Sequence, residues 1–490
     1  MTSTMLDKSV TRPTVPRTLP MLLTLDGASR VPRYRQIYHA LRRAIVGGRL
    51  PSGARLPATR TLAEDLGVSR ITVLGAYDEL AADGLITARA GAGTVVSAHA
   101  RHVAAVAPLS VHAAASPRPA QPGDRLVCPF APGLCALDAF PAATWARLVA
   151  RRWRAAPRDF LLPDEGPGHA ALRRAIAQYV LVTRAVSCTA DHVIVTAGAR
   201  QAIDLAARVL LDPGDVVLVE DPGDPTDRVA LASIGARVVS VPVDAEGFDV
   251  TAAQRVTDGR LALVTPSHQT ALGVALSERR RVALLEWAAD AEAWIVESDT
   301  ALPVDACNPP SLRSIDHPGT QRVIHVGSFD ATLVPALRIG YAIVRPGLVD
   351  AFVDARRPSE QSPSIADQSV LAEFIADGQL ARHVRRTRTL ASERRRTLLQ
   401  LASRELRGLV RFAPTRTGLH LVGWLPPGVS DARVAREAAR RGIRVGALSA
   451  HRTCPTSADP QAVLLGYAPF VAEEMRCALE RLAEVIRACC

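Results

Sequence analysis

The first hundred residues place hydrophobic side chains at the spacing of helices. Ile37, Leu41 and Ile45 recur at every fourth position, which predicts a helix over 34–48 that ends at a glycine pair. A turn-rich connector follows at 50–57. The pattern therefore predicts one helix and then a change of chain direction.

Two further helices and a hairpin come next. A short second helix is predicted over Thr59–Leu66 and ends at Gly67, and Ser69 is a favourable N-cap for a third helix that runs through Ala82. The apolar stripe of the third helix consists of Val73, Tyr77 and Leu80. Residues 85–96 predict two strands around a glycine-rich tip, so the segment is predicted to form a winged helix-turn-helix.

Beyond residue 128 the pattern changes to short β-rich runs that alternate with helical stretches. The predicted strands are 192–196, 215–220, 237–242, 261–265, 293–297 and 322–327. Strands separated by helices predict a mainly parallel central sheet with both faces covered, followed by a smaller α+β part over 346–490. The chain is thus predicted to be multidomain, a winged helix-turn-helix joined to an α/β module.

The domain boundaries follow from composition. We expect a flexible N-terminal tail at 1–28 and the winged helix at 29–97. A linker rich in alanine and proline is expected at 98–127, and the α/β module at 128–490. The 490 residues exceed what one hydrophobic core organises.

Charge and cysteine usage narrow the function. Residues 1–100 carry 13 basic and 7 acidic side chains, more than half of the net charge of +11, which predicts a polyanionic partner for this segment. No apolar run approaches the about 20 residues of a membrane span, and the N-terminus lacks the pattern of a signal peptide. The eight cysteines form no C-x-x-C pair and have no histidine at zinc spacing, so we expect a cytoplasmic protein without a metal.

The start of the third helix is the expected reading surface for nucleic acid, because such a helix presents its N-terminal side chains to base edges. Arg70 is suited to a bidentate contact with guanine, and Thr72 to a phosphate or base contact. The predicted DNA-binding residues are Arg60, Ser69, Arg70, Thr72, Arg89 and Gly91. The alternative is a helical hairpin with a solvated basic face.

The segment from YRQIYHALRRAIVGG to LITARAGAGTVVS resembles the winged helix of GntR-type transcriptional regulators over its full length. The stretches FPAATWARL, VTAGARQAIDLAARVLLDPGDVVLVEDPG, TPSHQTALGV and VGSFDATLVPALRIGY resemble the aspartate-aminotransferase-like fold, fold type I of pyridoxal-phosphate enzymes. The whole chain resembles the MocR-like regulators, which fuse the two. This resemblance implies double-stranded DNA as partner, a head-to-tail homodimer, and pyridoxal phosphate as the family cofactor.

Lysine is nearly absent from the chain. A Schiff base needs a primary amine that can lose its proton, and a guanidinium does not supply one. Lys8 is the only lysine, and it lies in the predicted tail. In relatives the cofactor lysine follows Phe-Ser, whereas residues 327–333 read GSFDATL, so the resemblance puts Ala331 in the lysine position. We therefore expect no covalent cofactor and no enzyme activity.

Other cofactor positions also differ from the family pattern. The acidic run before the lysine reads ESDT, which puts Ser298 in place of the aspartate for the ring nitrogen, with Asp299 restored by a shift of one residue. The tyrosine of Pro-Gly-Tyr is Asp224, and the tyrosine that follows His-Gln is Thr270. The resemblance thus implies the loss of several ring contacts together.

A phosphate site is retained in the pattern. A helix N-terminus with an arginine nearby binds anions whether or not a pyridoxal ring is present. The predicted pocket consists of Gly198, Ala199, His268, Asp299, Ser328 and Arg338. The alternative for Arg338 is a structural role under the sheet.

These expectations converge on a DNA-binding transcriptional regulator whose inactive aminotransferase-like module dimerises and senses a small anionic effector. Three alternatives stay open. The module binds pyridoxal phosphate without a covalent bond, or it is a ligand-blind dimerisation scaffold, or the protein is an aminotransferase, which the missing lysine disfavours.

Overall fold

The computed structural model describes most of the chain. The described residues are 25–26, 31–89, 93–97, 128–162, 166–302, 309–317, 319, 321–359, 362–412, 418–456 and 458–490. The chain forms two compact units, residues 1–121 and 122–490. None of the helices within the described residues has both the length and the apolar character needed to cross a membrane. The predicted linker at 98–127 lies outside the described residues.

The N-terminal unit consists of three helices and a hairpin. Its elements are α1 (Arg33–Val46), α2 (Thr59–Leu66), α3 (Arg70–Ala82), β1 (Ile86–Arg89) and β2 (Gly93–Val96). Gly67 ends α2 in the left-handed conformation with φ of 62°, which glycine adopts at no steric cost. The hydroxyl of Ser69 accepts a hydrogen bond from the backbone N–H of Thr72 at 3.2 Å, so Ser69 caps α3. The predicted winged helix-turn-helix is confirmed.

A single core holds these elements together. The side chains of Ile37, Leu41, Leu62, Val73 and Leu80 are fully buried between the three helices. Burial of each stabilises the fold by roughly 1.5–3 kcal/mol relative to exposure. The orientation of α3 is therefore fixed by packing against α1 and α2.

The C-terminal unit contains twelve helices and twelve strands in its described residues. Its helices are α4 (Ala142–Arg154), α5 (Ala170–Arg184), α6 (Ala199–Leu210), α7 (Pro225–Ser233), α8 (Val250–Gln254), α9 (Glu278–Asp290), α10 (Leu312–Ile315), α11 (Val349–Arg356), α12 (Ile365–Ala376), α13 (Gln379–Glu405), α14 (Asp431–Arg440) and α15 (Ala472–Cys489). Its strands are β3 (Val193–Thr196), β4 (Val216–Asp221), β5 (Arg237–Asp244), β6 (Gly247–Phe248), β7 (Gly259–Val264), β8 (Trp294–Asp299), β9 (Val323–Ser328), β10 (Gly340–Ile343), β11 (Arg411–Phe412), β12 (His420–Trp424), β13 (Gly446–Ala447) and β14 (Ala462–Gly466).

The large sheet is mixed. Its order is β3-β10-β9-β8-β7-β4-β5-β6, and β9, β8, β7, β4 and β5 run parallel. β10 is antiparallel to both of its neighbours, so β3 runs parallel to β9. The six predicted strands are found within two residues of their expected ends. β10 (Gly340–Ile343) was not predicted.

Helices cover both faces of this sheet. On one face, α5 and α12 pack against Tyr341 and Phe329. On the other face, α6 and α11 pack against Val296 and Val326. The parallel strands are thus buried on both sides, as their continuous hydrophobic runs predict.

The remaining strands form a separate antiparallel sheet of order β11-β12-β14-β13. The helices α13, α14 and α15 pack on it around buried Leu398, Leu421, Leu465 and Leu482. This part corresponds to the predicted smaller α+β segment, but its predicted start at residue 346 is wrong, because α11 and α12 pack on the large sheet.

Candidate functional site

The start of α3 is an exposed surface without acidic side chains in its first turn. Arg70 is exposed, and Ile71 beside it keeps 80% of its side-chain surface accessible. The opposite face of α3, with Val73 and Tyr77, is buried. Because a helix N-terminus is partly positive, this surface favours an anionic partner.

The polar side chains at this surface have two kinds of role. The hydroxyls of Ser69 and Thr72 lie 2.8 Å apart, so both close the first turn of α3. The Nε of Arg70 lies 3.4 Å from the hydroxyl of Thr59, a weak tether from the neighbouring helix. Within the described N-terminal unit, neither Arg60 nor Arg70 forms an ion pair with a carboxylate. Their charges are therefore available to a partner.

Arg55 is a further exposed basic residue of this unit, and the sequence argument missed it. Its backbone forms a bridge to Val95 in the second wing strand. A β-carbon built on Gly93 would lie 3.1 Å from the Nε of Arg55, so the guanidinium lies against the start of β2, next to the tip of the wing. Arg89 pairs with Gly93 through its backbone. The side chain of Arg89 and all of Gly91 lie outside the described residues.

The ends of β3 and β9 and the start of β10 meet at one edge of the large sheet. Gly198, Ala199 and Ser328 lie there and form what we call the cradle. Gly340 pairs with Thr196 on one side and with Ser328 on the other, so the ends of β3 and β9 lie beside the start of β10. Gly198 precedes α6 with φ of 91°. A β-carbon on Gly340 would lie 2.6 Å from the carbonyl carbon of Gly198, which shows how closely β10 approaches.

The cradle faces Asp330. A β-carbon built on Gly198 would lie 3.5 Å from Oδ2 of Asp330, so the carboxylate points at the start of α6. The backbone N–H of Asp330 donates to the Ser328 hydroxyl at 3.1 Å. The other carboxylate oxygen, Oδ1, is buried without a hydrogen-bond partner among the described residues. Burial raises the pKa of Asp330, and Ser328 and the charge of Arg338 oppose this shift.

Arg338 lies at the rim of the cradle. It is exposed and adopts the left-handed conformation with φ of 49° just before β10. Its charge acts on Asp330. An exposed arginine does not fit the alternative of a structural residue packed under the sheet.

Asp299 is not a cradle residue, which corrects the sequence prediction. The Nη2 of Arg184 donates to Oδ1 of Asp299 at 2.8 Å, and both side chains are buried. Asp299 pairs with Gly327, where a β-carbon would lie 2.2 Å from the Tyr341 ring, so Asp299 faces the α5 side. Burial raises the pKa of Asp299, and Arg184 opposes this shift. Alternation along β8 leaves Ser298 on the α6 side.

His268 lies against the C-terminal sheet. A β-carbon on Gly418 would lie 2.1 Å from Cε1 of His268, and the rings of His268 and His420 are 5.9 Å apart. Burial, together with His420, lowers the pKa of His268 to about 3. His268 is therefore neutral at physiological pH and offers no positive charge to an anion.

Asp224 and Thr270 stand where the family that the sequence resembles has tyrosines, and both border one small cavity. The acidic side chains of Glu220 and Asp227 also line this cavity. Its volume is about 20 Å³, enough for a water molecule and far too small for an aromatic ring. Asp224 is committed to capping α7, where it accepts from the backbone N–H of Thr226 at 2.8 Å. Burial and the neighbouring Asp224 raise the pKa of Asp227 to about 7.

The residues at these positions do not fit pyridoxal phosphate. The segment 128–490 contains no lysine, and Ala331 packs against the core of the C-terminal sheet. Asp224 and Thr270, which would flank a ring, are short, two further acidic side chains line the same cavity, and a carboxylate faces the anion cradle. No catalytic step follows from this arrangement.

A helix-turn-helix unit joined to an aminotransferase-like fold defines a class of DNA-binding transcriptional regulators. The family model for bacterial regulatory proteins of the gntR family matches residues 33–96, and that for aminotransferase class I and II matches residues 140–462. The chain belongs to the MocR-like branch of the gntR family.

Full-length relatives support this assignment. The chain is 37% identical over 473 residues to a probable rhizopine catabolism regulatory protein MocR of Rhizobium meliloti, covering 93% of this chain and 94% of the relative. It is 30% identical over 475 residues to the pyridoxine biosynthesis transcriptional regulator PdxR of Corynebacterium glutamicum, covering 96% and 98%.

A solved structure supports the fold of the C-terminal unit. The α-aminoadipate aminotransferase LysN of Thermus thermophilus superposes with a TM-score of 0.67 at 26% identity, over 73% of this chain and 92% of that one.

Proposed function

We propose that this protein reads a specific DNA site with α3 and the wing, and that its aminotransferase-like unit dimerises and detects a small anionic molecule without enzymatic turnover. The observation that carries the proposal is the exposed start of α3, where Arg70 has no carboxylate partner in the described unit, as Arg60 of α2 has none. Basic side chains at such a position serve base readout and phosphate contact.

The proposed loss of enzymatic turnover rests on the absence of lysine from the C-terminal unit. Covalent catalysis on a carbonyl cofactor needs a lysine amine, and residues 128–490 contain none. The small acidic cavity at Asp224 and Thr270 also disfavours an aromatic cofactor held without a covalent bond. These residues are less consistent with an aminotransferase, or with a regulator that binds pyridoxal phosphate, than with a regulator that does not bind this cofactor.

Dimerisation explains how one reading helix per chain achieves specificity. Two α3 helices related by a two-fold axis bind paired half-sites, and the separation of the half-sites follows from the dimer geometry. The family resemblance favours a head-to-tail pair, in which each winged helix lies over the partner's large unit. A footprint with two half-sites and a dimeric mass in light scattering are the expected results.

The experiment that tests the proposal starts from random DNA. The full chain is used to select binding sequences, and affinity for the selected site and for a scrambled site is then measured at fixed salt. Specific binding is expected to exceed nonspecific binding by at least about 10³-fold. A selection that enriches no sequence contradicts the proposed function.

The effector part of the proposal has its own test. A ligand that binds the folded unit raises its melting temperature by mass action. A panel of phosphorylated and carboxylated metabolites is screened first for this shift and then for a change in operator affinity. If no compound changes either quantity, the unit is a dimerisation scaffold.

A further inference from the structure

The start of α6 faces a carboxylate that belongs to the chain itself. Oδ2 of Asp330 lies 3.5 Å from the position a β-carbon of Gly198 would occupy, directly before the first turn of α6. The first backbone N–H groups of a helix have no partner within the helix and carry partial positive charge. The Asp330 carboxylate therefore occupies the place where an anionic ligand would bind.

One local hydrogen bond fixes the backbone of Asp330. Its N–H donates to the Ser328 hydroxyl at 3.1 Å, which fixes the turn after β9. The Ser328 hydroxyl keeps its own O–H as a donor. Arg338, two residues before β10, acts on the Asp330 carboxylate through its charge. Asp330 thus lies beside the start of α6 and Ser328, within the field of Arg338.

Burial removes water from one oxygen of the Asp330 carboxylate. Oδ1 of Asp330 is buried and has no hydrogen-bond partner among the described residues. This oxygen lowers the stability of the fold, since a buried polar atom without a partner destabilises a protein. A carboxylate that lowers stability yet faces an anion cradle points to a role in ligand selection.

We propose that Asp330 is an internal ligand of the α6 N-terminus and keeps the anion cradle closed to phosphate. A phosphorylated molecule binds weakly, because its negative charge meets the Asp330 carboxylate, and an effector that enters the cradle has to displace this side chain. The inference rests on the proposed effector function, since it assigns to that site a competing group within the chain.

The test compares phosphate affinity among full-length variants by calorimetry. The probes are inorganic phosphate and pyridoxal 5′-phosphate, with pyridoxal as the phosphate-free control. Asp330→Asn removes the charge at nearly constant size, Asp330→Ser also removes the bulk, and Asp330→Glu keeps the charge. Asp367→Asn is the matched control, because Asp367 is a half-buried aspartate of α12 on the other face of the sheet.

The expected result is a gain of about tenfold or more in phosphate affinity for Asp330→Asn and Asp330→Ser, which corresponds to about 1.4 kcal/mol. Both phosphate-bearing probes should gain, whereas pyridoxal should not. Asp330→Glu and Asp367→Asn should bind like the wild type. Melting curves and gel filtration establish that each variant is folded.

Two results overturn the proposal. One is equal phosphate affinity in the wild type and both neutral variants, including binding too weak to detect in all three. The other is an equal gain in Asp367→Asn, which would make the effect one of net charge. Operator affinity is measured separately in the same samples, so failure of DNA binding contradicts the regulator function while the phosphate comparison still decides on Asp330.

Discussion

Three aspartates of the C-terminal unit show how position decides the role of one residue type. Asp299 has a buried arginine as partner, Asp330 faces a helix start, and Asp227 lies beside other acids. Burial raises the pKa of all three carboxyls, and only their partners differ. Removing the charge of each aspartate is therefore expected to have a different effect on the protein.

Asp299→Asn is expected to destabilise the C-terminal unit by about 3–5 kcal/mol, because it leaves the charge of Arg184 buried without a partner. All five tryptophans lie beyond residue 128, so their fluorescence during urea denaturation reports on this unit. Asp204→Asn is the control, since it breaks a more exposed pair with Arg208 that is worth only about 0.5 kcal/mol. A loss below about 1 kcal/mol for Asp299→Asn would show that the ion pair contributes little.

Asp227→Asn is expected to stabilise the protein more at pH 8 than at pH 5. The folded pKa of Asp227 is about 7, above its ordinary value of 3.8, so the wild type loses stability as the pH rises between these values. The variant has no such loss, and its advantage should reach roughly 1–3 kcal/mol at pH 8. Urea denaturation at the two pH values measures it, and an advantage independent of pH would contradict the shift.

At the scale of elements, we expect α3 and the wing to make different kinds of contact with DNA. Arg70 lies at the first turn of α3, where side chains reach base edges, whereas Arg55 lies against Gly93 near the tip of the wing, where we expect a phosphate contact. Base contacts carry sequence information, and phosphate contacts carry affinity alone. Substitutions in the two elements should therefore differ in kind.

Arg70→Ala is expected to weaken specific binding by about 1–3 kcal/mol and to relax the preference at one base pair. Arg55→Ala should weaken binding to the selected and scrambled sites alike, as should Arg89→Ala from the wing. Fluorescence anisotropy with both DNAs at several salt concentrations measures these effects. If Arg70→Ala were as indifferent to sequence as Arg55→Ala, α3 would not be the reading helix.

Most elements were predictable from the sequence because their hydrophobic spacing is regular. The three N-terminal helices and the six strands of the large sheet follow from that spacing. Strand register was not predictable, and a shift of one residue exchanges the two faces of a strand. The sequence therefore left Ser298 and Asp299 as alternatives, and only the pairing of Asp299 with Gly327 assigns Asp299 to the α5 side. The close approach of Asp330 to α6 depends on β10, which the sequence did not reveal.

At the scale of the whole molecule, the protein combines a complete aminotransferase-like architecture with a chain that has one lysine. The sheet, its flanking helices and the C-terminal sheet match an aminotransferase over nine-tenths of that enzyme's length. The proposed loss of turnover would make architecture and enzymatic function separable in this fold.

Borohydride reduction after incubation with pyridoxal phosphate is expected to give no pyridoxyl adduct within residues 128–490, because this segment has no lysine amine. Peptide mass analysis locates any adduct. Modification of Lys8 would be nonspecific labelling of an amine outside this segment, and LysN, prepared in parallel, is the positive control. An adduct inside the C-terminal unit would contradict the proposed loss of covalent chemistry.

The late position of β10 in the sequence also affects how the chain folds during synthesis. β3 ends at Thr196, and its partner β10 begins at Gly340, about 140 residues later in synthesis. At ~5–20 residues per second, translation takes roughly 7–30 s to supply that partner. During this interval the apolar edge of β3 is unpaired, whereas the N-terminal unit needs only contacts between near neighbours. We therefore expect the C-terminal unit to depend on chaperones more than the N-terminal unit does.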